Sequence, residues 1–508
     1  MGQVASRVAM RGVAKRFAET VALQDVDFTA VRGEIHGLLG ENGAGKTTLM
    51  NILSGLYRAD RGEIFIEGQR ALIRSPEQAL RYRIGMVHQH VELIDSFTAL
   101  ENVVLGREGS RLWLRIERHR TAVAEIATRF GLAVDLDAEV RRLPIGVQQK
   151  VEILKALYRG VDVLILDEPT TMLTPQEVDT LFATLRTLAS QGLTVLFITH
   201  KIREILANCD RITVMRGGRI VQTLDRGSVD EARLIELMIG QRLAAGAGVA
   251  PNAHPGPVAL AVHELAVASN PGASGCTFSV AAGEMVGVAG VAGNGQRDLA
   301  EAVLGLRRPA HGTVTLGGRD VTRASVRNRL AAGLAYIPED RLQDGLLPTL
   351  TVAENLMLGL HHWAFNGLTF DHGKARELAR RTIEEYAVRA PSETTRAATL
   401  SGGNIQKLLV ARALTLARLT RGVVLVATNP TRGLDVRATE FVRGRLVAFA
   451  RNGGAVLMIS EDLDELLQLC DRILVLYQGR LVGEFSRPEF DPYRIGALMA
   501  GTVGTRRV

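Results

Sequence analysis

Eight residues near the N-terminus, Gly40, Glu41, Asn42, Gly43, Ala44, Gly45, Lys46 and Thr47, satisfy the pattern G-x-x-x-x-G-K-[ST], and Thr48 follows them. Glycines let a backbone curl until successive N–H groups face one anion, and a helix that follows adds its positive N-terminus. In such a loop Lys46 would reach the β- and γ-phosphates of a nucleotide, and the Thr47 hydroxyl would ligate Mg²⁺. The apolar run 33–39 predicts a buried strand before the loop, and 46–56 predicts a helix after it, the order this chemistry needs.

Two further apolar runs end in groups of the right kind. The stretch 163–166 closes on Asp167 and Glu168, the form of a central parallel strand that delivers carboxylates to the C-terminal edge of a sheet. There Asp167 would hold Mg²⁺ through water, and Glu168 would polarise the attacking water as general base. The run 193–199 brings His200 to the same edge. A strand-end histidine is more often structural than catalytic, but beside phosphates it would hydrogen-bond the γ-phosphate or the attacking water. Gln89 follows the apolar pair Met86-Val87 and offers a side-chain amide that would ligate Mg²⁺ and sense the γ-phosphate.

The elements that must position these groups occur twice. Residues 200–212 are echoed by 461–473, and each copy runs on into alternating residues broken by a glycine turn, 212–221 and 473–482. Between the copies, 245–257 is small and rich in glycine and proline, which predicts a linker between domains at 1–244 and 258–508.

Composition is compatible with this plan. The chain has 508 residues, 46% hydrophobic and 5% aromatic, enough for two to four globular domains. No apolar run approaches the ~18 residues of a membrane span, and the N-terminus lacks a secretion signal, so a cytosolic chain is expected. The opening Met1 to Ser6 fits a myristoylation pattern that is too short to weigh. Cys209, Cys276 and Cys470 are scattered, which fits reduced packing thiols and no zinc site. A net charge of +7 is read as a solvated exterior. No basic block with interleaved aromatics accompanies it, so no nucleic-acid partner is expected.

Together with Leu400-Ser401-Gly402-Gly403-Asn404-Ile405-Gln406-Lys407, these residues make the chain resemble an ATP-binding cassette (ABC) protein over essentially its whole length. The resemblance implies an α/β fold of two tandem P-loop nucleotide-binding domains. Each would have a mixed sheet core and a helical subdomain, near 90–142 and 340–399, the second longer. It implies ATP and Mg²⁺ as ligands, and it makes Phe17 the aromatic that stacks on adenine, where the alternative is a phenylalanine at a strand edge. Ser401, Gly402, Gly403 and Asn404 match the family signature, which opens a helix towards a γ-phosphate across an interface.

The halves then diverge. For Gly45-Lys46-Thr47 the second copy has Gly295-Gln296-Arg297, and Gln89 becomes Glu339. Asp167-Glu168 becomes Thr428-Asn429, and His200 becomes Glu461. The signature shows the reverse: the first copy has Pro144 where the second has Ser401, and Thr174 where the second has Asp435. In the family, cassettes pair head to tail. The resemblance thus implies one competent composite site, made of the first copy's loop, acids and histidine with Ser401 to Asn404 and Asp435, and one degenerate site.

Fused cassettes without spans are similar to the energising subunits of bacterial importers, in the simple-sugar and nucleoside branch. The run 143–159 is more similar to nucleoside than to ribose or galactose importers. The implied partners are two membrane permease subunits and an extracytoplasmic solute-binding protein in separate chains, with this chain peripheral on the cytoplasmic face of the inner membrane and associated with the membrane only indirectly. The alternatives are a simple-sugar importer, a soluble tandem-cassette translation factor or nucleic-acid-associated ATPase, and a regulatory nucleotide sensor.

Overall fold

The structure, a computed structural model, describes residues 6–18, 20–89, 91–107, 116–171, 173–240, 255–267, 275–291, 293–360, 365–366, 369–420 and 422–501. The chain divides into two compact units, Met1–Gly246 and Ala247–Val508. Of the expected linker, 245–254 lies outside the described residues.

Among its described residues the first unit builds ten strands: β1 (Ser6–Phe17), β2 (Thr20–Val31), β3 (Ile35–Gly40), β4 (Arg61–Ile66), β5 (Gln69–Ala71), β6 (Ile84–Val87), β7 (Val163–Asp167), β8 (Thr194–Thr199), β9 (Arg211–Arg216) and β10 (Arg219–Asp225). One sheet is antiparallel, in the order β2-β1-β4-β5. The other has six strands in the order β10-β9-β3-β8-β7-β6. Within it β6, β7, β8, β3 and β9 are parallel, and β10 returns antiparallel. Strands β3, β7 and β8 are buried at every residue, as expected of parallel strands covered on both faces. Phe28, Leu38, Leu49, Ile165 and Ile198 join both sheets and the helix Lys46–Leu53 in one apolar core.

Register decides where the chemistry lands. Leu39 pairs with Thr199, Asp167 with Ile198, and Val87 with Leu166, so four parallel strands end together. The residues that follow these strands share one sheet edge. The helix after the phosphate loop stops at Leu53 and does not reach 56. Gly55 turns the chain with φ +80° against the Ser75 carbonyl, where a Cβ would lie 2.4 Å from that oxygen.

The second unit repeats the plan. Its six-stranded sheet runs Leu334–Ile337, Val424–Thr428, Ala455–Ser460, Met285–Ala289, Arg472–Tyr477, Arg480–Ser486, again parallel except at the last strand. Its antiparallel sheet pairs Cys276–Ala281, Val258–Val267, Pro309–Leu316 and Arg319–Asp320. The expected helical segments contain Ala99–Val104 and Arg120–Arg129 in the first unit, and Val352–Met357 and His372–Glu385 in the second. The second unit also carries a π-helical turn at Arg341–Gly345, whose first N–H groups, Leu342 and Gln343, donate to the Asp340 carboxylate.

Candidate functional site

The phosphate loop leaves β3 at Gly40 and enters the helix Lys46–Leu53. Gly45 caps this helix at φ +99°, and a Cβ there would lie 2.7 Å from the Ala22 carbonyl oxygen, so glycine is required. The Lys46 ammonium is buried and donates to the carbonyl oxygens of Gly40 at 2.7 Å and Glu41 at 3.0 Å. Three N–H donors meet two acceptors, which leaves one for an anion. Burial lowers the Lys46 pKa, opposed by the carboxylates of Glu168, Asp167 and Glu41. A phosphate placed against this desolvated cation would add to the counter-charge of those carboxylates.

The adjacent acids are held differently. Asp167 is 4% exposed, and its Oδ1 accepts the Thr47 hydroxyl at 3.3 Å. Burial pushes its pKa up. Burial acts on Glu168 in the same sense, but the hydrogen bond and charge of His200, with Lys46 and Lys201, more than offset it and hold this carboxyl below its ordinary value. Glu168 Oε1 lies 3.0 Å from His200 Nδ1, and Oε2 accepts from Gln89 Nε2 at 3.2 Å. Glu168 also sits in the left-handed region, at φ +46°, which is strained for a glutamate. Its own N–H donates to the Ile198 carbonyl at 2.9 Å, and Gln149 reaches across to donate to the carbonyl of Pro169, the next residue. The strained turn is therefore tied on both sides.

The fold thus brings Lys46, Thr47, Gln89, Asp167, Glu168 and His200 together. Phe17 ends β1 and is 40% exposed, packed edge-on against Tyr57 with centroids 5.2 Å apart and with Lys15 Nζ 5.4 Å from its ring. An exposed aromatic pair at a strand end offers a purine face a platform. Ser401, Gly402, Gly403, Asn404 and Asp435 belong to the second unit. Ser401 caps the helix Gly402–Leu419 and accepts from Asn404 Nδ2 at 2.9 Å, while Asp435 caps Val436–Arg451. In the first unit Pro144 stands at the equivalent cap; neither cap side chain bonds a helix N–H, and proline has no hydroxyl to offer a ligand.

Oxygen donors from Thr47, Gln89 and Asp167 at one edge suit a hard cation such as Mg²⁺. The second unit does not suit it, because Arg297 and Thr428 replace Thr47 and Asp167. Gln296 keeps the shape of the loop by donating to the Val291 carbonyl at 2.9 Å, without the charge. Arg297 turns away to Glu301, at 2.7 Å. A cavity of ≈ 570 Å³ opens there, lined by Arg297, Tyr336, Glu339, Arg341, Thr428 and Arg432.

Three side chains of the site were not singled out by motif: Tyr57, Gln149 and Arg432. For Gln149 a signal existed. Gln406 occupies the same position in the second copy and donates to Pro430, the counterpart of Pro169, at 2.6 Å. A glutamine kept while its neighbours change marks a shared contact.

Residues 23–171 and 273–419 each match the family described as ABC transporter. The nucleoside import ATP-binding protein NupA of Lactococcus lactis subsp. cremoris is 41% identical over 504 residues, covering 97% of this chain and 98% of that one. The glucose import ATP-binding protein TsgD13 of Haloferax volcanii is 41% identical over 97% of this chain and 95% of its own. The guanosine import ATP-binding protein NupO of Bacillus subtilis is 41% identical over 97% of each. Phosphate loop, paired acids and family match agree: the chain belongs to the ABC transporter family, as a tandem ATP-binding subunit that hydrolyses ATP for transport.

Proposed function

We propose that this chain energises the import of nucleosides, with hydrolysis carried by the phosphate site of the first unit completed by the signature and Asp435 of the second. The observation that carries the solute class is the 41% identity to NupA and NupO across 97% of the chain. A simple-sugar importer is the second reading, favoured by equal identity to TsgD13.

In this reading the loop 40–48 and the helix behind it bind the phosphates, and Phe17 with Tyr57 holds the adenine. Lys46 exchanges carbonyl partners for β- and γ-phosphate oxygens. Thr47, Gln89 and Asp167 would hold Mg²⁺, which would supply neutralising charge to the phosphates. Glu168, freed from Gln89 and His200, accepts a proton from the attacking water, while His200 keeps a donor aimed at the γ-phosphate. Closure that joins Lys46 to Ser401 through ATP is favoured by binding and released by hydrolysis, which would drive the permease. No described helix is long and apolar enough to cross a membrane. This reading assigns the permease subunits and a solute-binding protein to other chains and attaches this chain peripherally at the cytoplasmic face of the inner membrane.

The test is gentle solubilisation of membranes carrying the tagged chain, followed by uptake of labelled nucleosides and simple sugars in cells with and without it. Co-purified polytopic subunits and a nucleoside-specific loss of uptake are expected. Loss confined to sugars selects the second reading, and co-purification with ribosomes or nucleic acid alone overturns both.

A further inference from the structure

In the first unit Glu168 is a hub: an anion that accepts from an amide, Gln89, and faces an imidazole, His200. At the matching positions of the second unit the charges are inverted. Asn429 replaces the central acid, Glu339 replaces the glutamine and Glu461 replaces the histidine. The cation between them is Arg432, one residue past the start of loop 431–435. Its Nη1 donates to Glu339 Oε1 and lies 3.6 Å from Glu461 Oε2. Asn429 keeps the left-handed turn, at φ +44°, and its Oδ1 accepts from the Glu461 N–H at 3.0 Å. Thr431 Oγ1 donates to Glu465 at 2.6 Å, and Asp435 Oδ1 accepts from the Ala438 N–H at 2.7 Å. A Cβ on Gly433 would lie 3.9 Å from Arg341 Nη2, and one on Gly402, beside the Ser401 cap, 3.5 Å from Arg341 Nη1.

The loops after three strands are therefore tied together by a guanidinium that belongs to the chain. In the first unit the same loops converge on a carboxylate that must be released for chemistry. Two carboxylates this close to one another repel unless a cation lies between them, so removing Arg432 leaves Glu339 and Glu461 to push apart and frees the loop that carries Asp435.

We propose that Arg432 is a positioning residue for ATP hydrolysis: it holds loop 431–435 and the adjoining signature in working geometry with no ligand in the second unit. The proposal rests on the reading that Ser401 and Asp435 complete the first unit's site. Arg432 acts through the loop, by way of its contacts with Glu339 and Glu461.

Steady-state ATP hydrolysis by the full chain, with Arg432→Gln, Arg432→Lys and Ser401→Arg side by side, tests it. A half-exposed ion pair of about 1 kcal/mol corresponds to about fivefold in rate, so Arg432→Gln should lower kcat about five- to tenfold with KM for ATP unchanged. Arg432→Lys, which keeps the charge, should recover most of that loss. Amide hydrogen exchange in 429–435 of the nucleotide-free chain should quicken in Arg432→Gln and not in Arg432→Lys. Wild-type kcat in Arg432→Gln with Ser401→Arg inactive overturns the positioning role and leaves the composite site standing. Full activity in Ser401→Arg overturns the composite site and the positioning role with it. Equal loss in Arg432→Gln and Arg432→Lys, with a raised KM, also overturns the proposal.

Discussion

Gln296 donates its side-chain amide to the Val291 carbonyl oxygen at 2.9 Å, and in the equivalent loop Lys46 donates to the Glu41 carbonyl oxygen at 3.0 Å. The two loops share a contact and a shape, with Gly45 and Gly295 both near φ +100°. What separates them is one charge. An amide can staple the loop to itself but cannot supply the cation that a polyphosphate requires.

Lys46→Ala should therefore lower ATP hydrolysis by at least about 10²-fold, the cost of a lost charge-stabilising donor. Gln296→Ala should keep most of it, since only a loop contact is removed. Steady-state phosphate release measures both, and equal losses would remove the one-site reading.

Glu168→Gln keeps the shape of the strained turn and its contact with Gln89, but it removes the proton acceptor. Turnover should fall about 10²- to 10⁴-fold while ATP affinity is retained. Equilibrium dialysis paired with single-turnover kinetics separates the two quantities. Turnover within about threefold of wild type would place the base elsewhere.

Asp167 and Glu168 should differ in the sign of their contribution to stability. Burial raises the Asp167 pKa, so its contribution is fully present below an unfolded pKa of about 4 and is lost as pH rises through the folded value. At neutral pH the ionised form is a net cost, and Asp167→Asn should raise the melting temperature of the ligand-free chain, by less as the buffer is acidified towards about pH 4. Glu168, despite its burial, is held low by His200, so its contribution is present above the unfolded pKa and lost as pH falls through the folded one. Glu168→Gln should lower the neutral melting temperature. Calorimetry across pH checks both signs, and a shared sign would mean that His200 does not set the Glu168 charge.

Phe17→Ala removes an exposed ring whose contacts are an edge-on approach to Tyr57 and the ammonium of Lys15, so the fold should lose little. Stacking on a base is worth about 1–3 kcal/mol, hence KM for ATP should rise about 5- to 150-fold with kcat nearly unchanged. An unchanged KM would leave Phe17 a strand-edge residue.

Much of the first unit's chemistry is visible in residue order because its parts are local. The phosphate loop needs two glycines, a lysine and a hydroxyl at fixed spacing, although the close approach that requires glycine at 45 comes from Ala22, distant in the chain. The runs before Asp167 and His200 are apolar throughout because central parallel strands are covered on both faces. The losses at Gln296, Arg297, Thr428, Asn429 and Glu461 could be read by laying one copy on the other. The helix end at Leu53 was misplaced because the turn at Gly55 is forced by Ser75, twenty residues on.

The sequence by itself determined which half carries the phosphate lysine, the acids and the histidine, and which half carries the serine of the signature. Only the tertiary structure decided that Gln89 and His200, 79 and 32 residues from Glu168, both meet its carboxylate. It likewise decided that Tyr57 packs against Phe17, that Gln149 holds Pro169, and that Arg432 lies between two glutamates. The physical reason is that a motif is built from short-range backbone conformation, which residue types dictate. Those contacts depend on strand order and parallel register, which arise when the six-stranded sheet of the first unit and its counterpart in the second are each covered by apolar surface.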